Sequence, residues 1–243
     1  DESAAYAVSV MKSGNVYSNW NELQEYIDAI FQKVLPEELK DENIEVHVYR
    51  YGRFKTFMTA NGKLFISIGT LGEVFDEATI AGFMAHELAH YRLGHSLKKF
   101  LKRESGGLSG GLFADGTWRK LENSIDNEIQ ADSLALEWLA QSGYHSDGLA
   151  EAFNVTDRMY RWQNLRLTGG EISPINHLPY HERWDMIEGF QKRQKEEGQY
   201  FLISKNRFVK VINEAKTEIL KALITNHDYD YCIEQAFKYH IFD

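Results

Sequence analysis

Residues 82–96 read GFMAHELAHYRLGHS. His86, Glu87 and His90 form an H-E-x-x-H pattern there. Residues four apart on a helix share a face, so His86 and His90 can offer two imidazoles to one Zn2+, with Glu87 beside them. Asp76 reads as an N-cap, and the helix is expected from 77 to about 101. Two nitrogens do not complete a catalytic site. Catalytic zinc usually takes three protein ligands and leaves a fourth position for water. His95, nine residues after His86 and half a turn out of phase, reads as a structural or rim residue rather than a ligand.

The third ligand is sought in NSIDNEIQADSLALEWLAQSGY, residues 123–144. Glu128 and Asp132 are again four apart, on a helix expected from about 120 to 141. Ile129, Ala131, Leu134 and Leu136 are apolar enough to turn that face inward. A buried carboxylate pair is costly unless it meets a metal or a cation. Zn2+ removes that cost for Glu128. Asp132, one turn on, can accept the other ring N–H of a liganding histidine. A solvated helix face is the plain alternative for such a pair, and the first motif weighs against it.

A third element is NHLPYHERW, residues 176–184. A histidine or arginine beside zinc can stabilise the oxyanion formed when a carbonyl is attacked. His177 and Arg183 are the candidates. His181 competes with His177, and spacing does not choose between them. His47, His145, His227 and His240 read as solvated.

The surroundings are those of a helical protein with a small sheet. Residues 20–34 place Trp20, Leu23, Ile27, Ile30, Phe31 and Val34 at helical spacing, stopped by Pro36. Ile44, Val46 and Val48 alternate as in a strand. Residues 54–59 and 64–68 read as two more strands joined by an Asn61-Gly62 turn. The sheet is expected to be antiparallel. Further helices are expected at 147–166, 181–197 and in two pieces over 206–243. The charge of −9 argues against nucleic acid or an anionic membrane surface as partner. The single cysteine, Cys232, excludes an internal disulfide. No apolar run approaches a membrane span. The first residue is Asp1, so we expect a processed or trimmed chain.

Four elements in order resemble one family. FMTANGKLFISIGTL resembles its strand hairpin, MAHELAHYRLGHS its zinc helix, NEIQADSLALEWLAQSGY its E-x-x-x-D helix, and HLPYHER its H-P-x-x-x-x-R segment. Together they resemble the CAAX prenyl protease and HtpX-like zinc metallopeptidases, family 48, in their soluble periplasmic-type members. The resemblance implies an α+β, mainly helical, zincin-like (gluzincin) fold and one Zn2+ per chain held by His86, His90 and Glu128. It makes Glu87 the general base, Asp132 the carboxylate behind a ligand, and His177 and Arg183 transition-state and pocket residues. Leu178 stands where the family carries proline, with Pro179 one later. The resemblance also makes the strand Lys63, Leu64, Phe65, Ile66, Ser67 an edge to which an extended substrate adds.

The tail NHDYDYCIEQAFKYHIFD resembles the turn and second helix of a tetratricopeptide repeat. A lone repeat cannot bury its own face. We therefore expect a metallopeptidase domain over 1–204, the start of a repeat domain over 205–243, and protein partners through repeats further downstream. The favoured function is a zinc endopeptidase of protein substrates in bacterial envelope quality control, with a mitochondrial setting as the alternative. A chaperone or binding module with a gated or structural zinc site is the second reading.

Overall fold

Asp76 starts the helix that organises the molecule. Its side chain accepts the Thr79 N–H at 2.8 Å, an N-cap as expected. The computed structural model describes residues 21–95, 115–168, 180–196 and 205–241. In chain order, helix α1 is Asn21–Val34, strands β1, β2 and β3 are Glu45–Tyr49, Thr56–Met58 and Lys63–Ser67, and the short helix α2 is Ile68–Leu71. Helix α3 is Glu77–Arg92, α4 Asp115–Gln141, α5 Asp147–Thr168, α6 Tyr180–Glu196, α7 Lys205–Thr225 and α8 Tyr229–Ile241.

Almost every residue of α3 from Glu77 to His90 is buried. A helix apolar all round belongs in the centre of a core. It packs against α4 and α5, and against α1, β2 and β3. At the crossing with α5 the backbones nearly touch. A Cβ on Gly148 would lie 2.1 Å from the Ala78 carbonyl oxygen, and one on Gly82 would lie 2.6 Å from the Gly148 oxygen. Only glycine permits this approach, and it brings α5 over the middle of α3.

Helix α3 is shorter than its pattern suggests. It ends at Arg92, and Gly94 adopts φ +68°. The Leu93 N–H returns to the Ala89 carbonyl and the Gly94 N–H to the Tyr91 carbonyl, closing the last turn. The run expected to 101 is thus broken at 93–94, and residues 96–101 lie outside the described residues.

The sheet is also different from the expected antiparallel one. The hairpin of β2 and β3 forms, with Phe57 opposite Phe65. However, β1 pairs with β3 in parallel, in the order β1-β3-β2. Two reversals through β2 bring β3 back in the direction of β1, and β3 takes the central place. Its residues Leu64, Phe65, Ile66 and Ser67 are fully buried, and Lys63 pairs with Glu45 at 2.7 Å. Residues 63–67 are therefore not an open edge. The free edge on the hairpin side is β2.

Helices α7 and α8 lie against the body through Phe208, Ile219, Leu223, Tyr231 and Tyr239, which join the same core as α1 and α2. Buried Glu73 accepts from Tyr231 at 3.0 Å, Gln235 at 2.9 Å and Lys238 at 2.8 Å, tying α8 to the turn before α3. No described helix is long and apolar enough to cross a membrane.

Candidate metal centre and cleft

Helix α3 sets His86 and His90 one turn apart with their Nε2 atoms 3.1 Å from one another. Helix α4 brings Glu128 to both, its oxygens 3.3 Å from His86 Nε2 and 3.4 Å from His90 Nε2. All three residues are buried. Two imidazole nitrogens and the two oxygens of one carboxylate converge there, and without a metal the His86 proton is held among them. Zn–N and Zn–O bonds of about 2.0–2.2 Å in tetrahedral geometry require ligand edges near 3.4 Å. The observed separations of 3.1, 3.3 and 3.4 Å, the last two to different oxygens of Glu128, lie close to that edge, so the residues fit a zinc-sized ion.

The face of α4 that carries Glu128 is apolar and inward as expected at Ala131 and Leu136, with Leu134 packed against the core. Ala131, Ala135 and Leu139 are fully buried beside Glu128 and Asp132, whereas Ile129 is 44% exposed. The small alanines let α4 approach α3 closely enough for the short carboxylate to reach both histidines.

Behind the triangle, Asp132 Oδ1 lies 2.9 Å from His86 Nδ1. Burial disfavours a charge on His86, but Asp132 and Glu128 outweigh it and carry its pKa up to about 9. Burial and the neighbouring His86 charge push His90 down to about 4. A metal entering the triangle would displace the His86 proton. On the other side, His90 Nδ1 lies 3.0 Å from His95 Nδ1.

Arg183 of α6 is buried as well. Its Nε and Nη2 each donate to Asp132 at 2.5 Å, and Nη2 also donates to Glu128 Oε2 at 3.3 Å. Its guanidinium carbon stands 3.5 Å from the centre of the Phe153 ring. Arg183 thus compensates the two carboxylates from behind and also lines the cleft. His177 lies outside the described residues, as do Leu178 and Pro179.

A cleft opens onto this cluster, lined by Thr56 of β2, His86 and Glu87 of α3, Thr156 and Tyr160 of α5, and Arg183. The Met58 N–H donates to Glu87 Oε2 at 3.1 Å. In the antiparallel ladder Ser67 bonds Lys55 and Thr59 bonds Lys63. By alternation, the backbone groups of Thr56 and Met58 face away from β3, toward the cleft. Tyr160 was not singled out in the sequence, where a helical tyrosine reads as core. Burial, then the charges of Glu87 and Glu128, raise its pKa above the ordinary phenol value, so it keeps its proton.

Residues 21–112 match the sequence model of peptidase family M48. This segment is a peptidase family M48 domain. Over 201 residues the chain is 24% identical to mitochondrial metalloendopeptidase OMA1 of Schizosaccharomyces pombe, covering 69% of this chain and 60% of that protein. The chain thus spans about 60% of the length of the curated relative it matches. Family M48 implies a metallopeptidase, and the candidate metal site His86, His90 and Glu128 suits that class. The M48 match ends before Glu128, so the third ligand rests on the geometry described above.

Proposed function

We propose that this chain is a zinc-dependent endopeptidase acting on protein substrates, with His86, His90 and Glu128 as metal ligands. The observation that carries the reading is the buried triangle of lone-pair atoms with Glu87 next to it at the mouth of a cleft. When bound there, Zn2+ supplies Lewis acidity toward a carbonyl oxygen and acidifies water. Glu87, held by the Met58 N–H, accepts the proton of the attacking water and delivers it to the leaving amine nitrogen. Asp132 orients His86, and Arg183 holds Asp132 and Glu128 in place. The Tyr160 hydroxyl donates to the carbonyl oxygen as negative charge grows on it. His177, outside the described residues, is proposed to share that role.

The outer edge of β2 takes the place first assigned to residues 63–67. An extended peptide adding along Thr56–Met58 would lie straight across Glu87. The Schizosaccharomyces pombe relative is named as a mitochondrial enzyme, and a mitochondrial setting stands beside the envelope quality-control role suggested by the family resemblance. Helices α7 and α8 are proposed as the first pair of a repeat region that recruits protein partners.

The test is hydrolysis of casein by the zinc-loaded chain beside Glu87→Gln. The variant is expected to lose about 10²–10⁴-fold in rate, the usual worth of a positioned acid–base group, with Zn2+ still bound. Equal rates in the two proteins would remove Glu87 from its role. No cleavage by either, with zinc bound in both, would favour a gated binding module.

A further inference from the structure

The two histidines of the triangle are backed by different partners. His86 Nδ1 faces a carboxylate, Asp132, at 2.9 Å. His90 Nδ1 faces another imidazole, His95, at 3.0 Å between the two Nδ1 atoms. The rings meet edge to face, 5.1 Å between centroids at 67°. His95 is 1% exposed, so its position is set by the core and not by solvent. It follows the left-handed turn at Gly94 that ends α3, and its ring lies against His90.

We propose that His95 is a positioning residue that accepts the Nδ1–H of His90 and thereby fixes the ring and tautomer of that ligand. The inference rests on the metal-site reading above. To ligate through Nε2, a neutral His90 must carry its proton on Nδ1. That proton needs an acceptor in a buried site, because an unmet donor costs about 1–3 kcal/mol there. The His95 Nδ1 stands at hydrogen-bond distance and accepts when its own proton is on Nε2. The site then has one ligand backed by a carboxylate and one backed by a neutral ring. Carboxylate backing raises ligand basicity. His90 is accordingly the weaker donor of the two, and it depends on His95 for orientation rather than for charge.

The experiment compares Zn2+ affinity of the wild-type chain, His95→Leu, His95→Asn and His90→Ala, by competition with a chromophoric chelator. Melting of each metal-free protein runs alongside. Asn can place an oxygen acceptor near the position of the His95 Nδ1, whereas Leu places none. His95→Leu is expected to lose about 10–100-fold in affinity, the usual effect of removing such an outer partner. His95→Asn should recover most of that loss. Equal affinity in wild type and His95→Leu would overturn the proposal. So would equal losses in Leu and Asn variants whose metal-free melting matches wild type. Should His95→Leu not fold, long-range proton–nitrogen NMR of the zinc-loaded wild type decides. His90 must appear as the Nδ1–H form and His95 as the Nε2–H form, and the opposite pair overturns the assignment. A wild-type chain that binds Zn2+ no better than His90→Ala would instead defeat the metal-site reading itself.

Discussion

Helix α3 carries a buried polar cluster at each end, and the two follow opposite rules. At its start Glu77 is ringed by donors: Tyr26 at 2.7 Å, Lys33 at 3.2 Å and Tyr144. That cluster is complete in itself, and it locks α1, α3 and the turn after α4 together. At its other end the rings of His86 and His90 and the Glu128 carboxylate converge at 3.1–3.4 Å, with more acceptor atoms than protons to share. Arg183 partly compensates the carboxylates from behind, but the centre of the triangle calls for a cation. Both clusters are buried and carboxylate-bearing, so burial alone does not mark function. The balance of donors and acceptors does.

The contrast predicts its largest effect in metal binding. His90→Ala should lower Zn2+ affinity by more than the about 10–100-fold typical of an outer partner, while Glu77→Gln leaves affinity unchanged. Titration with a chelator measures both. A comparable loss in Glu77→Gln would erase the distinction between the two ends.

The next effect is on stability. Arg183→Met leaves Asp132 and Glu128 buried without their guanidinium and should cost about 3–5 kcal/mol, the range for breaking one side of a buried ion pair. On the proposed site, Zn2+ would bind only the folded chain and offset the Glu128 charge, so saturating zinc should restore part of the loss. Urea unfolding with and without Zn2+ separates the two contributions. A loss that zinc does not reduce would mean that Arg183 serves general packing, through Phe153, more than the carboxylates.

Much of the metal end could be read from the chain because it depends on helical spacing. The i, i+4 pairs His86/His90 and Glu128/Asp132 need nothing but a helix to be placed. The Asp76 cap and the Asn61-Gly62 hairpin are equally local. What was not legible depends on tertiary competition. Gly94 inside a helical pattern costs only about 1 kcal/mol relative to alanine, so its presence alone does not reveal the left-handed turn that ends α3 after Arg92. The central place of β3 rests on its pairing with both β1 and β2, which no strand reveals by itself. Arg183 meets Asp132 across 51 positions, and its pattern in sequence is the same whether it faces substrate or carboxylate. Tyr160 looks like any core tyrosine until β2, α3 and α5 assemble around it.

The smallest effect belongs to the complete cluster and has a pH signature. Burial alone would raise the Glu77 pKa, but the hydrogen bonds from Tyr144 and Tyr26 and the charge of Lys33 bring it below its usual value of 4.5. A carboxyl whose folded pKa is depressed binds protons more readily in the unfolded chain. Its stabilisation is therefore fully present above the unfolded value and is lost as pH falls through the folded one. Glu77→Gln should cost about 1–3 kcal/mol near neutral pH, the range for disturbing a satisfied buried hydrogen-bonding group. It should also flatten the decline in stability below about pH 4.5. Thermal unfolding of both proteins from pH 7 to pH 3 measures this directly, with the two curves converging toward acid. Parallel curves would mean that Glu77 holds the helices by shape and not by charge. In that case the contrast between the two ends of α3 would reduce to the presence or absence of a metal.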